Sequence, residues 1–162
     1  RWAVVVIKLK DTAYCTPVRP ELEYGSCVWN PNKQQNINKI ESVQQRAARF
    51  VLNHNLHYTH VTPMIQSLGW DLLHHRRLLS QGTMFSKTYM CYVGISLPPD
   101  VILNERPSRA PNCCPFKLVK VNNHIYNYSF YPRTIALWNN ITLSFTNIDN
   151  LDTFKIKCSL IY

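Results

Sequence analysis

One amphipathic segment constrains the fold of this chain more than any other feature. It follows the turn sequence Asn30-Pro31-Asn32 and runs from about Lys33 to Leu52. Its apolar residues recur at intervals of three and four, which is the period of an α-helix with one buried stripe. They are Ile37, Ile40, Val43, Ala47 and Val51. The sequence therefore predicts a long helix whose opposite face is exposed.

Basic side chains occupy that opposite face. Lys39, Arg46 and Arg49 lie away from the apolar stripe, and the whole chain carries 18 Lys and Arg against 9 Asp and Glu. The formal net charge is +9 and the isoelectric point is near 9.4. An excess of this size favours a polyanionic partner such as nucleic acid. We therefore expect the three cations to contact phosphates.

Two further helices are predicted in the first part of the chain. Pro63 suits the first position of a short helix that ends near Leu68, with Thr62 as its N-cap. A third helix spans roughly Leu72–Tyr92 and carries Arg76 and Arg77, which we add to the candidate phosphate contacts. Before the long helix, residues 13–29 predict a kinked or short helix interrupted by prolines, and residues 1–10 predict a strand or a ragged end.

The second part of the chain begins with a proline-rich stretch. Residues 98–115 predict a linker between a helical region, 1–97, and a C-terminal α+β segment, 116–162. In that segment Phe116–Val121 and Ile125–Phe130 predict a β-hairpin, and two short helices follow, from Pro132 and from about Asp149. The predicted fold is mainly α, with a small β-hairpin and two short C-terminal helices after the helical bundle.

No catalytic or metal-binding constellation is evident. Glu21 and Glu23 would share a face only on a strand, and surface solvation explains them better than a two-metal site. His54, His57 and His60 lack the i, i+4 spacing of a helical zinc site, so we interpret them as loop residues. The six cysteines form no Cys-x-x-Cys motif and predict reduced thiols. We expect no cofactor in this chain.

Neither a signal peptide nor a membrane span is predicted. The apolar run Ala3–Ile7 is far shorter than the roughly 20 residues that cross a bilayer as a helix. It also lacks a typical cleavage site. We therefore expect a location in the nucleus or cytoplasm and no membrane partner.

Four co-linear stretches resemble the C-terminal part of reverse transcriptases from non-LTR retrotransposons of the jockey type. The first, Val18–Trp29, contains Val18-Arg19-Pro20 and Leu22-Glu23-Tyr24. The second is the helix segment Ile40–Phe50. The third joins Leu68-Gly69-Trp70 to His75-Arg76-Arg77, and the fourth is Tyr128–Asn139. Order and spacing agree over about residues 13–158.

The resemblance implies a place in a larger enzyme. In that family this region follows the polymerase palm and corresponds to the thumb and the segment after it. The aromatic-x-Asp-Asp turn that binds catalytic Mg²⁺ belongs to the palm, and the sequence of this chain contains no such turn. The resemblance thus implies a thumb-like bundle that holds an RNA or RNA–DNA duplex beside the upstream palm and is inactive alone.

Some roles remain open at the level of sequence. Arg133 either contacts nucleic acid or anchors the short helix that begins at Pro132, and the second interpretation fits the proline better. Trp29, Trp70 and Trp138 are predicted to be core residues rather than stacking platforms. A different class of function, a non-enzymatic remnant whose helices dock on a protein, stays as the alternative.

Overall fold

The computed structural model describes residues 2–54, 60–103, 116–118 and 123–143, and these residues are mainly helical. The mainly α fold class is therefore confirmed. The chain divides into two compact units, unit 1 (Arg1–Arg77) and unit 2 (Leu78–Tyr162). The described helices are α1 (Trp2–Ala13), α2 (Arg19–Glu23), α3 (Ser26–Trp29), α4 (Gln34–Val51), α5 (Thr62–Ser67), α6 (Leu73–Tyr89), α7 (His124–Asn127) and α8 (Phe130–Leu143).

The core of unit 1 forms where α4 and α5 meet the chain that follows α1. Its buried residues are Tyr14, Ala48, Val51, Met64, Ile65 and Trp70. The rings of Tyr14 and Trp70 stack with centroids 4.5 Å apart, and the indole Nε1 donates to Asp11 Oδ1 at 2.9 Å. Burying the aromatic surface stabilises the unit, and the carboxylate satisfies the polar end of Trp70.

The long amphipathic helix is present as predicted. α4 buries Gln44, Ala48 and Val51, and it exposes the side chains about half a turn away. It ends in a Schellman motif, in which Asn53 adopts a left-handed φ of 53° and His54 N donates to Arg49 O at 2.9 Å. Asn tolerates this conformation better than most residues, so Asn53 fixes where α4 stops.

The next two helices are also confirmed, with one correction. α5 and α6 begin and end close to their predicted bounds, and Gly69 terminates α5 with a φ of 66°. Thr62, however, is the first residue of α5 rather than its N-cap. The N-cap is Val61, and no side chain caps this end of the helix.

The N-terminal segment is helical, not a strand or a ragged end. Ile7 packs against the core of unit 1, and Asp11 bonds Trp70, so tertiary contacts hold the valine-rich α1 in a helix. A π-helical segment, Tyr14–Val18, joins α1 to α2 and contains Pro17. Proline lacks an N–H and crowds the preceding turn, which explains the wider helix at this point.

Unit 2 packs α8 against the second part of α6 and one extended residue. Its buried core consists of Phe85, Phe116, Ile135 and Trp138. The side chain of Asn139 donates to Phe116 O at 2.9 Å and accepts from Phe116 N at 3.3 Å, so it pairs both backbone groups of that residue. This contact holds the extended chain on α8.

The predicted β-hairpin is not supported. Phe116 forms one isolated antiparallel bridge with Leu103, and Ile125–Phe130 is helical except for a turn between α7 and α8. The physical reason is Asn123, whose Oδ1 accepts from Ile125 N at 3.0 Å and so caps α7 instead of forming a hairpin turn. Residues 119–122 and the last predicted helix lie outside the described residues.

The predicted tryptophan core is confirmed at two of its three positions. Trp70 and Trp138 are buried, whereas Trp29 is 41% exposed and donates from Nε1 to Tyr24 O at 2.6 Å. A bond to the local backbone explains why Trp29 stays near the surface. The predicted linker 98–115 lies mostly outside the described residues, and its bounds stay a prediction.

Candidate nucleic-acid interface

Two of the six candidate cations lie on the exposed face of α4. Lys39 and Arg46 are separated by seven residues, so they share one side of the helix about 10 Å apart along its axis. Both side chains are exposed. Arg46 Nε reaches back to Ser42 O at 3.4 Å, and within the described residues neither cation forms an ion pair. Their charges are therefore available to a partner.

Arg49 lies on the edge of the same face. It is half-buried, in the last turn of α4, and its Nε atom is buried without a hydrogen-bond partner in the described structure. A buried guanidinium nitrogen without a partner is unfavourable, so an acceptor supplied by a ligand would improve it. Arg49 thus remains a candidate contact, less accessible than Lys39 and Arg46.

Arg76 and Arg77 are adjacent in sequence, but the structure places them differently from the α4 cations. Arg76 forms a two-point contact with Glu23, from Nε to Oε1 at 2.5 Å and from Nη2 to Oε2 at 3.0 Å. Its hydrogen bond to this carboxylate raises the pKa of the Arg76 guanidinium. The side chain is 32% exposed, so any phosphate must share it with Glu23.

Arg77 is fully buried, with 0% of its side chain exposed. Its Nη2 lies 3.3 Å from Glu41 Oε1, and its Nε donates to Asn30 Oδ1 at 3.1 Å. Burial lowers the pKa of the guanidinium, and the neighbouring Glu41 opposes that shift. In this structure Arg77 cross-links α4, α6 and the end of α3 from inside, and it does not reach a surface where a phosphate could bind.

The remaining candidate, Arg133, belongs to unit 2. It is half-buried near the start of α8, where its backbone N donates to Ser129 O at 3.4 Å. Pro132 is the third residue of α8 rather than its first, because the helix begins at Phe130. Whether Arg133 contacts nucleic acid or anchors α8 stays a prediction.

Three acidic side chains of unit 1 contact groups other than the exposed cations of α4. Glu23 and Glu41 pair with Arg76 and Arg77, and Asp11 accepts hydrogen bonds from Trp70 and Cys15. These carboxylates therefore neutralise or satisfy groups within the bundle. Lys39 and Arg46 receive no such compensation, which concentrates positive potential on the outer side of α4.

The sequence did not identify Lys10 and Phe50, two residues that lie beside the exposed cations of α4. Lys10 of α1 donates from Nζ to Phe50 O at 3.2 Å and to Asn53 Oδ1, and its ammonium lies 4.5 Å from the centroid of the Phe50 ring. It therefore caps the C-terminus of α4, where a cation is favoured by the helix dipole. The Lys8-Leu9-Lys10 sequence indicates a basic segment, but the short continuous apolar run Ala3–Ile7 before it does not distinguish a helix from a strand.

Lys10 and Phe50 also line an open groove between α1 and α4. The groove has a volume of about 370 Å³, and Arg46 is one of its lining residues. Most of its other lining residues are apolar, and they include Ala13, Val43 and Ala47. The groove thus adjoins the exposed cations of α4, because Arg46 belongs to both.

Two further searches were confined to the part of the chain that the structure describes. There, no group of three His, Cys, Asp or Glu side chains is placed to hold a metal ion. Over the same residues, no helix combines the length and apolar character needed to span a bilayer.

Comparison of the chain with protein-family models, with curated proteins and with solved structures gives no significant match.

Proposed function

We propose that this chain holds an RNA or RNA–DNA duplex by its phosphate backbone, as the thumb and C-terminal region of a non-LTR reverse transcriptase. The observation that carries the proposal is the pair of uncompensated cations, Lys39 and Arg46, on the outer face of α4. Duplex DNA carries one charge per roughly 1.7 Å of its axis, so two cations about 10 Å apart find phosphates in any sequence. The polymerase chemistry would belong to the upstream palm.

The exposure and ion pairing of each cation rank the candidate phosphate contacts. Lys39 and Arg46 are the primary phosphate contacts, Arg49 is a secondary one, and Arg76 contributes only if it shares its guanidinium with Glu23. Arg77 acts by holding α4 to α6, which positions the other cations. This division of roles follows from exposure, since a buried paired cation gains nothing from a phosphate it cannot reach.

The proposal is tested by fluorescence anisotropy with a labelled RNA–DNA duplex and the full chain. Lys39→Gln and Arg46→Gln each remove one phosphate contact, so each should weaken binding about fivefold to tenfold at low salt. Lys8→Gln, which removes the same charge from an exposed position on α1, is the matched control and should change affinity little. Equal effects of all three variants would contradict a specific role for the α4 face.

One observation favours the alternative function, docking on a protein. Trp2, Val5 and Leu9 lie on one side of α1 and are 84%, 57% and 69% exposed. Exposed apolar patches of this kind are typical of protein interfaces. If binding to a protein explained the chain, affinity for its partner would change little with salt and would be lost in Leu9→Ser, while duplex binding would be absent.

A further inference from the structure

The groove between α1 and α4 combines an apolar floor with one available cation. Ala13, Val43 and Ala47 contribute apolar surface, and Phe50 adds a ring that is 58% exposed. Lys10 already donates to Phe50 O and Asn53 Oδ1, and its ammonium lies 4.5 Å from the centroid of the Phe50 ring, so it covers one face of that ring. Arg46 forms no ion pair in the described residues, so it is the lining cation that can take an anionic group. The groove therefore suits a ligand with a flat apolar part next to a negative charge.

The size of the groove limits the choice of ligand. A volume of about 370 Å³ is at the low end of the range for small-molecule sites, which is roughly 300–1,000 Å³. An amphipathic peptide helix needs room for several anchor side chains along its length. A single nucleotide has one planar base, a sugar and a phosphate, which matches the apolar floor and the single cation.

The position of the groove indicates that the nucleotide belongs to a strand bound on α4. Lys39, Arg46 and Phe50 lie within a narrow arc of α4, because seven and eleven residues correspond to about two and three helical turns. A strand that follows the phosphate contacts on the outer face of α4 would therefore pass the mouth of the groove. A paired base enters such a groove only at a cost of a few kcal/mol, because it must be unpaired and unstacked first, whereas an unpaired base avoids most of that cost.

We infer that the α1–α4 groove takes one unpaired nucleotide from the strand held on α4, with its base against Ala47 and the face of the Phe50 ring that Lys10 leaves uncovered, and its phosphate on Arg46. This inference rests on the proposed function, because it uses the same α4 face. Contact between a base and an aromatic side chain is tolerant of sequence, so all four bases should enter. The preferred ligand is thus a duplex with a single-stranded extension rather than a blunt one.

The test compares the full chain on two labelled RNA–DNA duplexes, one blunt and one with a three-nucleotide extension. The extension should raise affinity at least fivefold, which is the lower end expected for one base on an aromatic side chain. Ala13→Leu places a larger apolar side chain in the groove from α1 without changing charge, and it should remove the gain. Thr12→Leu, one residue earlier and outside the groove, should retain it.

A second variant, Phe50→Leu, and a fluorescence measurement keep the test decisive if Ala13→Leu does not fold. Phe50→Leu removes the aromatic ring at an exposed position and should also remove most of the gain, with helical circular dichroism unchanged. A 2-aminopurine placed as the first unpaired base should change its fluorescence on binding to the wild type but not to Ala13→Leu.

The outcomes separate the inference from the function on which it rests. If both duplexes bind with equal affinity, the groove does not take a nucleotide and the inference fails, while the phosphate contacts on α4 stand. If neither duplex binds, the proposed function fails and the inference fails with it. A gain that persists in both Ala13→Leu and Phe50→Leu places the extension elsewhere and also overturns the inference.

Discussion

Arg76 and Arg77 show how one residue position changes the role of an arginine. Both carry the same charge, but Arg76 faces Glu23 at the surface of unit 1, and Arg77 is buried against Glu41 and Asn30. A partly exposed ion pair contributes little to stability, whereas removing one member of a buried pair leaves a charge without compensation. The two contacts should therefore respond very differently to mutation.

Glu41→Ala should destabilise the chain by about 3–5 kcal/mol, because it leaves the Arg77 guanidinium buried without its carboxylate. It also removes the acceptor of His74 N, which lies 2.6 Å from Glu41 Oε1. Urea denaturation followed by circular dichroism measures the change in the free energy of unfolding. Glu21→Ala is the control, since Glu21 is exposed on α2 and should change stability by less than about 0.5 kcal/mol. Similar costs for the two variants would show that the Glu41–Arg77 pair is not buried in solution.

At Tyr14, in contrast to Glu41, we expect a substitution to increase the free energy of unfolding. Its hydroxyl is buried and has no hydrogen-bond partner in the described structure, although its ring stacks on Trp70. Tyr14→Phe keeps the ring and removes the unsatisfied group, so it should stabilise the chain by about 1 kcal/mol at neutral pH. Thermal unfolding measures the effect, and Tyr24→Phe, at an 83% exposed position, is the control. A clear loss of stability in Tyr14→Phe would mean that the hydroxyl is bonded in solution.

The same residue produces a pH dependence. Burial raises the pKa of Tyr14 from its usual value of 10.0 to about 12. The pKa in the folded state thus lies above that in the unfolded state, so this stabilising contribution is complete below pH 10 and is lost as the pH rises towards 12. Wild-type stability should fall over this window, and Tyr14→Phe should reduce that fall. An identical pH profile for the two proteins would contradict the burial of this hydroxyl.

At the scale of elements, α4 caps the start of α6. The first backbone N–H groups of a helix have no partner within the helix. Here Gln44 Oε1 accepts from Leu73 N at 3.3 Å, Glu41 Oε1 accepts from His74 N, and Gln44 Nε2 donates to Asp71 O at 2.8 Å. Two side chains one turn apart on α4 therefore replace a local N-cap, and they fix the start of α6 against α4.

Gln44→Ala should destabilise the chain by about 1–3 kcal/mol, because the buried Leu73 N–H loses its acceptor and the part-buried Asp71 carbonyl loses its donor. The start of α6 should also open more often in this variant. The Leu73 amide hydrogen should therefore exchange with solvent faster than in the wild type. Gln45→Ala is a matched control, because Gln45 is the next residue on α4 and is only half-buried. If the two variants had equal stability and equal Leu73 exchange, the capping of α6 by α4 would be wrong.

The elements also show what sequence could and could not reveal. The apolar stripe of α4, from Ile37 to Val51, repeats over about four turns, and so long a repeat leaves little ambiguity. In contrast, Ile125–Phe130 predicts a strand, since aromatic and polar residues alternate from Tyr126 onward, but the Asn123 cap favours a helix there. The hydrogen bond from Ile125 N to Asn123 thus has more influence on this segment than its short alternating pattern. Helix and strand are hardest to distinguish in such short patterns.

At the scale of the whole molecule, the sequence predicted which α4 cations are exposed but did not predict which arginines are buried. Net charge and the face of α4 identified Lys39 and Arg46 correctly as exposed cations. Burial of Arg77 was not predictable, because a charge enters a core only when distant residues such as Asn30 and Glu41 surround it. The groove beside Arg46 was missed for the same reason, since α1 and α4 lie far apart in sequence.

The central claim is that exposed cations on α4 hold the backbone of a duplex, and the salt dependence of binding tests it most directly. The measurement is the affinity of the full chain for a blunt RNA–DNA duplex at several salt concentrations. Three phosphate contacts, by Lys39, Arg46 and Arg49, predict that log K falls with log salt with a slope between about −2 and −3. The Lys39→Gln/Arg46→Gln variant should lose about two units of that slope. A slope near zero, or one that this variant leaves unchanged, would contradict the account.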